Sequence, residues 1–286
     1  MKQMSKSKDE SKIDNNYKSM INRDFFRLDN KAQLKKINNI FIETELSIKG
    51  LKMVLEDVER AKRDNKDRFH ISAPTAKGKI GNISRSVNDV LRIINERIGN
   101  KEYLQSLVFS ISLTEDYISR TLIRIIKAYP EKILVSTKGN AVADSGSLSV
   151  DMRDILKAGN LDEIIAGKIN HRVRDALYAS PANYFTYLNS ILGFSLPEDV
   201  WKSFVEIKAT RDTYIHGDGC ANDTYIFKCR DLSRAKLGEK LIVDGKYLAE
   251  SITCMKRIFT EIYSGLQMNY GNSEEVHNIF LLEGGD

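Results

Sequence analysis

Three cysteines, Cys220, Cys229 and Cys254, are all that this 286-residue chain contains, an odd number without a Cys-x-x-Cys pair. Neither a disulfide framework nor a zinc site fits that count and spacing, so free thiols are expected. No apolar run approaches the ~18 residues of a membrane span, which excludes a spanning helix. The N-terminus lacks an apolar signal region, and its lysines alternate with Asp9, Glu10 and Asp14, unlike a transit peptide. A cytoplasmic protein is expected. Charge of one sign is not in large excess either: 44 Lys and Arg against 39 Asp and Glu leave +5, which permits a polyanionic partner without demanding one. No cluster of Asp, Glu, His or Cys has metal-ligand spacing, so neither a metal nor a cofactor is expected.

What is present is hydrophobic spacing of helical period, in a chain whose 42% hydrophobic content suffices for a packed core. Residues 1–23, rich in Lys, Ser and Asn, read as a mobile basic arm. Over 31–64, Leu34, Ile37, Phe41, Thr44, Ile48, Leu51, Leu55 and Val58 alternate three- and four-residue steps, a heptad-like seam that needs a partner helix within this chain or on another. Residues 65–82, with Pro74, Lys77 and Lys79, read as a basic loop. Further helices are expected at 84–98, ended by Gly99, at 101–129, and at 149–158, 160–179 and 182–193, with a flexible loop at 136–147. Thr224–Lys228 and Lys240–Val243 alternate enough to suggest a small hairpin, with Asp244-Gly245 as a turn. A last helix spans 246–270, and residues beyond Gly271 read as a loose tail that puts His277, like His70, at the surface.

The fold expected is therefore all-α, a helical bundle with a small hairpin and a long-helix N-terminal extension. By residue number the partition is a 1–23 arm, a 24–82 extension and loop, an 83–272 helical domain and a 273–286 tail.

One stretch carries chemistry. Trp201, Phe204, Ile207, Tyr214 and Ile215 share a stripe on a helix from about 197 to 216, and Arg211 falls inside it. A buried arginine must find an anion, because an unpaired charge away from water costs several kcal/mol or more. Its partner is either structural or a substrate phosphate. Asp212 and His216, four apart, lie on adjacent turns flanked by Val205 and Ala209. Gly217 reads as the left-handed residue ending the helix, placing His216 in the last turn, where the macrodipole favours imidazolium. Glu115 interrupts the apolar stripe of the 101–129 helix, as an orienting partner for Arg211 or as an ordinary interfacial acid. Arg172 and Arg174 form a basic cluster that either tracks an RNA backbone or lies on a solvated face.

The phrase Ile-Lys-Ala-Thr-Arg-Asp-Thr-Tyr-Ile-His-Gly-Asp-Gly, residues 207–219, set on a helix of a mostly helical chain, resembles the HEPN superfamily. It is similar in particular to the RiboL-PSP-HEPN branch and to HEPN proteins of bacterial defence and toxin loci. The resemblance covers about residues 83–270, and residues 204–219 carry its specific part. It implies a metal-independent endoribonuclease in which the RNA 2′-hydroxyl is the nucleophile, leaving a 2′,3′-cyclic phosphate and a 5′-hydroxyl. His216 would move the proton, Arg211 would hold the phosphoryl oxygens and Asp212 would orient one of them. RNA is then the substrate, and a cognate antitoxin or defence-system protein a partner. HEPN toxins paired with a nucleotidyltransferase often carry Tyr two residues after the motif His, whereas Asp218 stands there in this chain. On an ideal helix, residues five apart project about 140° from each other, so a homodimer with facing motif helices is expected to complete the site. The alternatives are a non-catalytic HEPN module binding nucleotide, RNA or protein, and a helical scaffold in which Arg211 and His216 merely satisfy polar groups. The titratable His216 favours the enzyme over simple phosphate binding.

Overall fold

The structure, a computed structural model, describes residues 6–137 and 160–282. It is mostly helical, with one antiparallel hairpin. In chain order the elements are α1 (Lys6–Arg63), β1 (Arg68–Pro74), β2 (Ile80–Ser86), α2 (Val87–Glu96), α3 (Glu102–Ala128), α4 (Leu161–Leu177), α5 (Pro181–Leu192), α6 (Glu198–Ile215), α7 (Asp223–Cys229), α8 (Gly245–Tyr270) and α9 (Glu274–Leu282). The expected 149–158 helix and most of the 136–147 loop lie outside the described residues.

Helix α3 is the hub, touching α1, α4, α5, α6, α8 and α9. Leu107, Ile111, Ile118, Leu122 and Ile125, at steps of three, four or seven residues, are fully buried along it. Each contributes about 2 kcal/mol of apolar burial, which explains why a 27-residue helix can sit in the middle of the bundle. The seam of α1 turns inward on this same chain: Ile37, Thr44, Ile48 and Val58 are buried, and Thr44 Oγ1 lies 2.6 Å from Ser106 Oγ of α3. Phe26 and Ile37 belong to the main core cluster, so α1 is built into the bundle rather than appended to it.

Several local expectations change. Helix α1 begins at Lys6, within the stretch read as a basic arm. Residues 65–82 do not form a loop. They supply most of the hairpin, paired Arg68 to Ser86 and Pro74 to Ile80, with Phe69 packed on a small cluster of Val58, Val87, Val90 and Ile94. Gly99 does not end a helix, because residues Arg97–Lys101 form a π-helical turn that carries α2 on into α3. The hairpin expected at 224–228 and 240–243 is absent there: the first segment is α7, and only an isolated bridge joins Cys220 to Lys240. Asp244 is no turn residue but caps α8, accepting a 2.8 Å bond from the Tyr247 amide. The tail is helical and docked. In α9, Val276, His277 and Phe280 are buried, and Phe280 meets the Phe26 ring edge-on at 5.0 Å between centroids. His277 is thus a core residue, while His70 is exposed as expected.

Candidate functional site

Helix α6 carries the Arg211 to His216 stretch, and its placement follows from its neighbours on almost every side. Val200, Trp201, Phe204, Ile207 and Thr210 are buried, and the Trp201 indole donates to the Pro181 carbonyl at 3.2 Å, tying α6 to α5. Glu198 and Asp199 occupy the first turn, where the helix dipole favours acids. Behind the motif, the 5%-exposed Glu206 accepts bonds from Thr210 (2.7 Å), Tyr225 (2.9 Å), Tyr247 (2.8 Å) and Arg234 Nε (2.9 Å). Arg234 also stacks over the Tyr247 ring at 3.5 Å and donates to the Ile242 carbonyl. A buried charge satisfied by four donors clamps the segment after the motif against α6.

The end of α6 differs from the expected geometry in a way that matters. His216 is the cap residue, with φ −109° and ψ 5°, and its amide closes the last helical bond, to the Asp212 carbonyl at 3.0 Å. The left-handed residue is Gly219 at φ +80°, not Gly217, and the Gly219 amide reaches back to the Thr213 carbonyl at 3.1 Å. A Cβ on Gly219 would lie 2.4 Å from the Tyr214 ring, which is itself held by its hydroxyl donating to the Leu241 carbonyl. Only glycine fits there.

With the helix so ended, Arg211, Asp212 and His216 all line one cleft of about 1040 Å³, which Glu115 and Arg174 border as well. A single chain lines the same opening with both motif residues, despite the splay of about 140° that an ideal helix gives residues five apart. The Arg211 side chain is 19% exposed at the cleft wall. Glu115 Oε2 lies 3.7 Å from Arg211 Nη2, and Asp212 Oδ1 lies 2.9 Å from Arg211 Nε. The Nε–H has no aligned acceptor, so the approach of Asp212 is an ion pair rather than a hydrogen bond. Intramolecular carboxylates therefore account for the half-buried guanidinium.

Two lysines without an assigned role in the sequence extend this arrangement. Lys208 Nζ sits 2.5 Å from Glu115 Oε1, and Lys228 Nζ of α7 sits 3.4 Å from Asp212 Oδ2. Lys208, Glu115, Arg211, Asp212 and Lys228 thus alternate in sign across α3, α6 and α7, three cations to two acids. The group carries an excess of one positive charge. Asp212 is occupied by Arg211 and Lys228; the exposed His216 makes no side-chain hydrogen bond among the described residues. The same cleft holds Tyr178, 84% exposed, and Phe227, 72% exposed. Beneath them Tyr184 is buried and its hydroxyl has no partner; burial, with Glu115 nearby, pushes its pKa up and keeps it protonated.

Arg172 and Arg174 part company. Arg172 is 6% exposed and donates from Nη2 to the Val135 carbonyl at 2.8 Å, a structural staple unable to meet a polymer in solvent. Arg174 is exposed at the cleft. Lys208 was legible, three residues before Arg211 and hence on its face. Lys228 and Phe227 had no such signal, since their segment reads as a strand. Ile215, read as part of the inward stripe, is 55% exposed at the cleft instead. Among the described residues no three His, Cys, Asp or Glu are grouped as metal ligands would be, and no helix is long and apolar enough to cross a membrane. Searches against protein-family models, curated proteins and solved structures find no match for this chain.

Proposed function

We propose that this chain is a metal-independent endoribonuclease of HEPN type, acting in the cytoplasm as a toxin or antiviral defence effector. The observation that carries this reading is the convergence of a braced arginine and a solvent-accessible histidine in one cleft with a net positive charge. RNA brings its own nucleophile, so the protein has only protons and charge to manage. The 2′-oxygen loses its proton and attacks the adjacent phosphorus; the bond to the 5′-oxygen breaks, and that oxygen takes up a proton. His216, exposed at the cleft, is the group positioned to move a proton. Arg211 presents its Nη atoms to the phosphoryl oxygens, with Glu115 and Asp212 limiting its rotamers so that little order remains to be imposed when substrate arrives.

The dimer and the partner belong to the same proposal. Ile215, 55% exposed beside His216, fits a face that meets a second copy, and the resemblance to toxin and defence HEPN proteins supplies the cognate antitoxin or defence partner. A second reading, a non-catalytic HEPN module gripping phosphate, is favoured by one observation: Asp212 is spent on Arg211 and Lys228 and leaves the imidazole without a carboxylate.

Incubation of purified protein with RNA in excess EDTA, followed by end-group analysis, decides between them. Cleavage leaving 2′,3′-cyclic phosphates supports the enzyme; 5′-phosphate ends, or metal dependence, overturn the mechanism, and tight binding without cleavage makes the second reading correct. Light scattering at micromolar concentration tests the dimer, and slowed growth on expression, absent for the Arg211→Ala, His216→Ala double variant, tests the toxin.

A further inference from the structure

Helix α7 has an inward and an outward side, and the outward side faces the cleft. Tyr225 and Cys229 are buried, with the Tyr225 hydroxyl on Glu206, so the helix is pinned to α6 by that side. Phe227, two residues on from Tyr225, projects away from it and is 72% exposed. Lys228 follows immediately and reaches Asp212, whose other oxygen takes Arg211. Both residues line the cleft that holds Arg211 and His216. Single exposed apolar residues are ordinary on protein surfaces. A bare ring in a cleft, next in sequence to a lysine that shares a carboxylate with Arg211, is a more particular arrangement.

We infer that α7 is the substrate-gripping element of the cleft, Lys228 taking a backbone phosphate and Phe227 stacking a base of the same strand, so that the strand must be unpaired. This rests on the ribonuclease reading for the identity of the polymer. The chemistry is that of single-strand binding in general: every base offers a flat face to an aromatic ring, while the ammonium neutralises the phosphate that the same nucleotide carries. In a duplex both faces of an internal base are already covered by its neighbours, and the ring finds nothing to stack on. Asp212 holds Lys228 in place until a phosphate arrives. The carboxylate and the phosphate are alternative anions for the same two cations.

The test measures binding apart from cleavage, by fluorescence anisotropy of the full chain with labelled 2′-O-methyl oligouridylate, which lacks the nucleophile, and with its duplex to oligoadenylate. Phe227→Ala is expected to weaken single-strand binding about 5- to 150-fold, the range for losing one base stack, with the salt dependence unchanged. Phe227→Tyr should restore binding and Phe227→Leu should not, and the duplex should be indifferent to all three. Lys228→Gln is expected to lower the slope of log affinity against log salt by about 0.7, one phosphate contact on a single strand. Phe109→Ala, which removes a 62%-exposed ring outside the cleft, should bind as wild type. Wild-type binding by Phe227→Leu, an unchanged salt slope for Lys228→Gln, or losses that merely follow a change in oligomeric state by light scattering would each overturn the inference. The two readings fail separately: cleavage that ignores both substitutions sinks this one, while binding that obeys them in a protein unable to cut RNA sinks the ribonuclease.

Discussion

At the scale of single residues, the cleft and the clamp behind it call for opposite responses to substitution. Arg211→Ala and His216→Ala should each lower RNA cleavage by a factor of about 100 or more, the usual worth of a positioned acid–base or charge-stabilising group. Circular dichroism should leave the fold unchanged, because both side chains face the cleft. Asp212→Ala should cost less, since Glu115 still pairs Arg211 from α3. Full cleavage by the His216 variant would remove the histidine from the mechanism. Glu206→Ala, by contrast, should act on stability. It strands Arg234 and three hydroxyls around a buried void, and denaturant unfolding should show a loss of about 3 kcal/mol, at the low end for a broken buried pair because the Arg234 side chain keeps 30% of its surface in solvent.

At the scale of elements, the docking of α9 is expected to weaken in acid. His277 is 4% exposed, packs against the Phe26 ring at 5.4 Å and has an Nε2 without a partner. Burial holds its pKa below the ordinary 6.5. In the folded protein the ring therefore stays neutral where the unfolded chain has begun to take up its proton. Stability from this group is full above about pH 6.5 and declines as pH falls through that value toward the depressed one, because the unfolded state binds more protons there. Thermal melts at pH 7.5 and 5.5 should show a smaller acid-induced drop in Tm for His277→Leu than for wild type. An equal drop would mean that α9 does not hold a neutral imidazole in the core.

At the scale of the whole molecule, the partition at residue 82 has a physical consequence. Phe26 and Ile37 of α1 lie in the same core cluster as Leu107 of α3 and Phe280 of α9. Deleting residues 1–82 would uncover that face of α3 and α8 together, and several buried side chains at about 2 kcal/mol each exceed what a domain's net stability can lose. The truncated protein should therefore be insoluble or lack a cooperative melt. A soluble, cooperatively melting 83–286 fragment would restore the extension as a separate unit.

Periodicity alone determined most of the helices, because a buried stripe must recur every three or four residues whatever the helix packs against: α3, α5, α6 and α8 lie within a residue or two of their expected limits. The same sequence set Asp212 and His216 one helical turn apart and pointed to Glu115 through its interruption of an apolar stripe, but it splayed Arg211 and His216, and only the folded chain lines one cleft with both. Where tertiary contact outweighs local pattern, sequence was silent or misled. Residues 224–228 alternate like a strand yet form α7, because Tyr225 and Cys229 are drawn inward by Glu206 and the face of α6. The tail became α9 because Phe26, at the far end of the chain, offers Phe280 and His277 a surface to bury against. Arg172 turned inward to a carbonyl on a segment 37 residues earlier. Lys228 joined the site because two helices meet there, a proximity that no spacing along a single helix encodes.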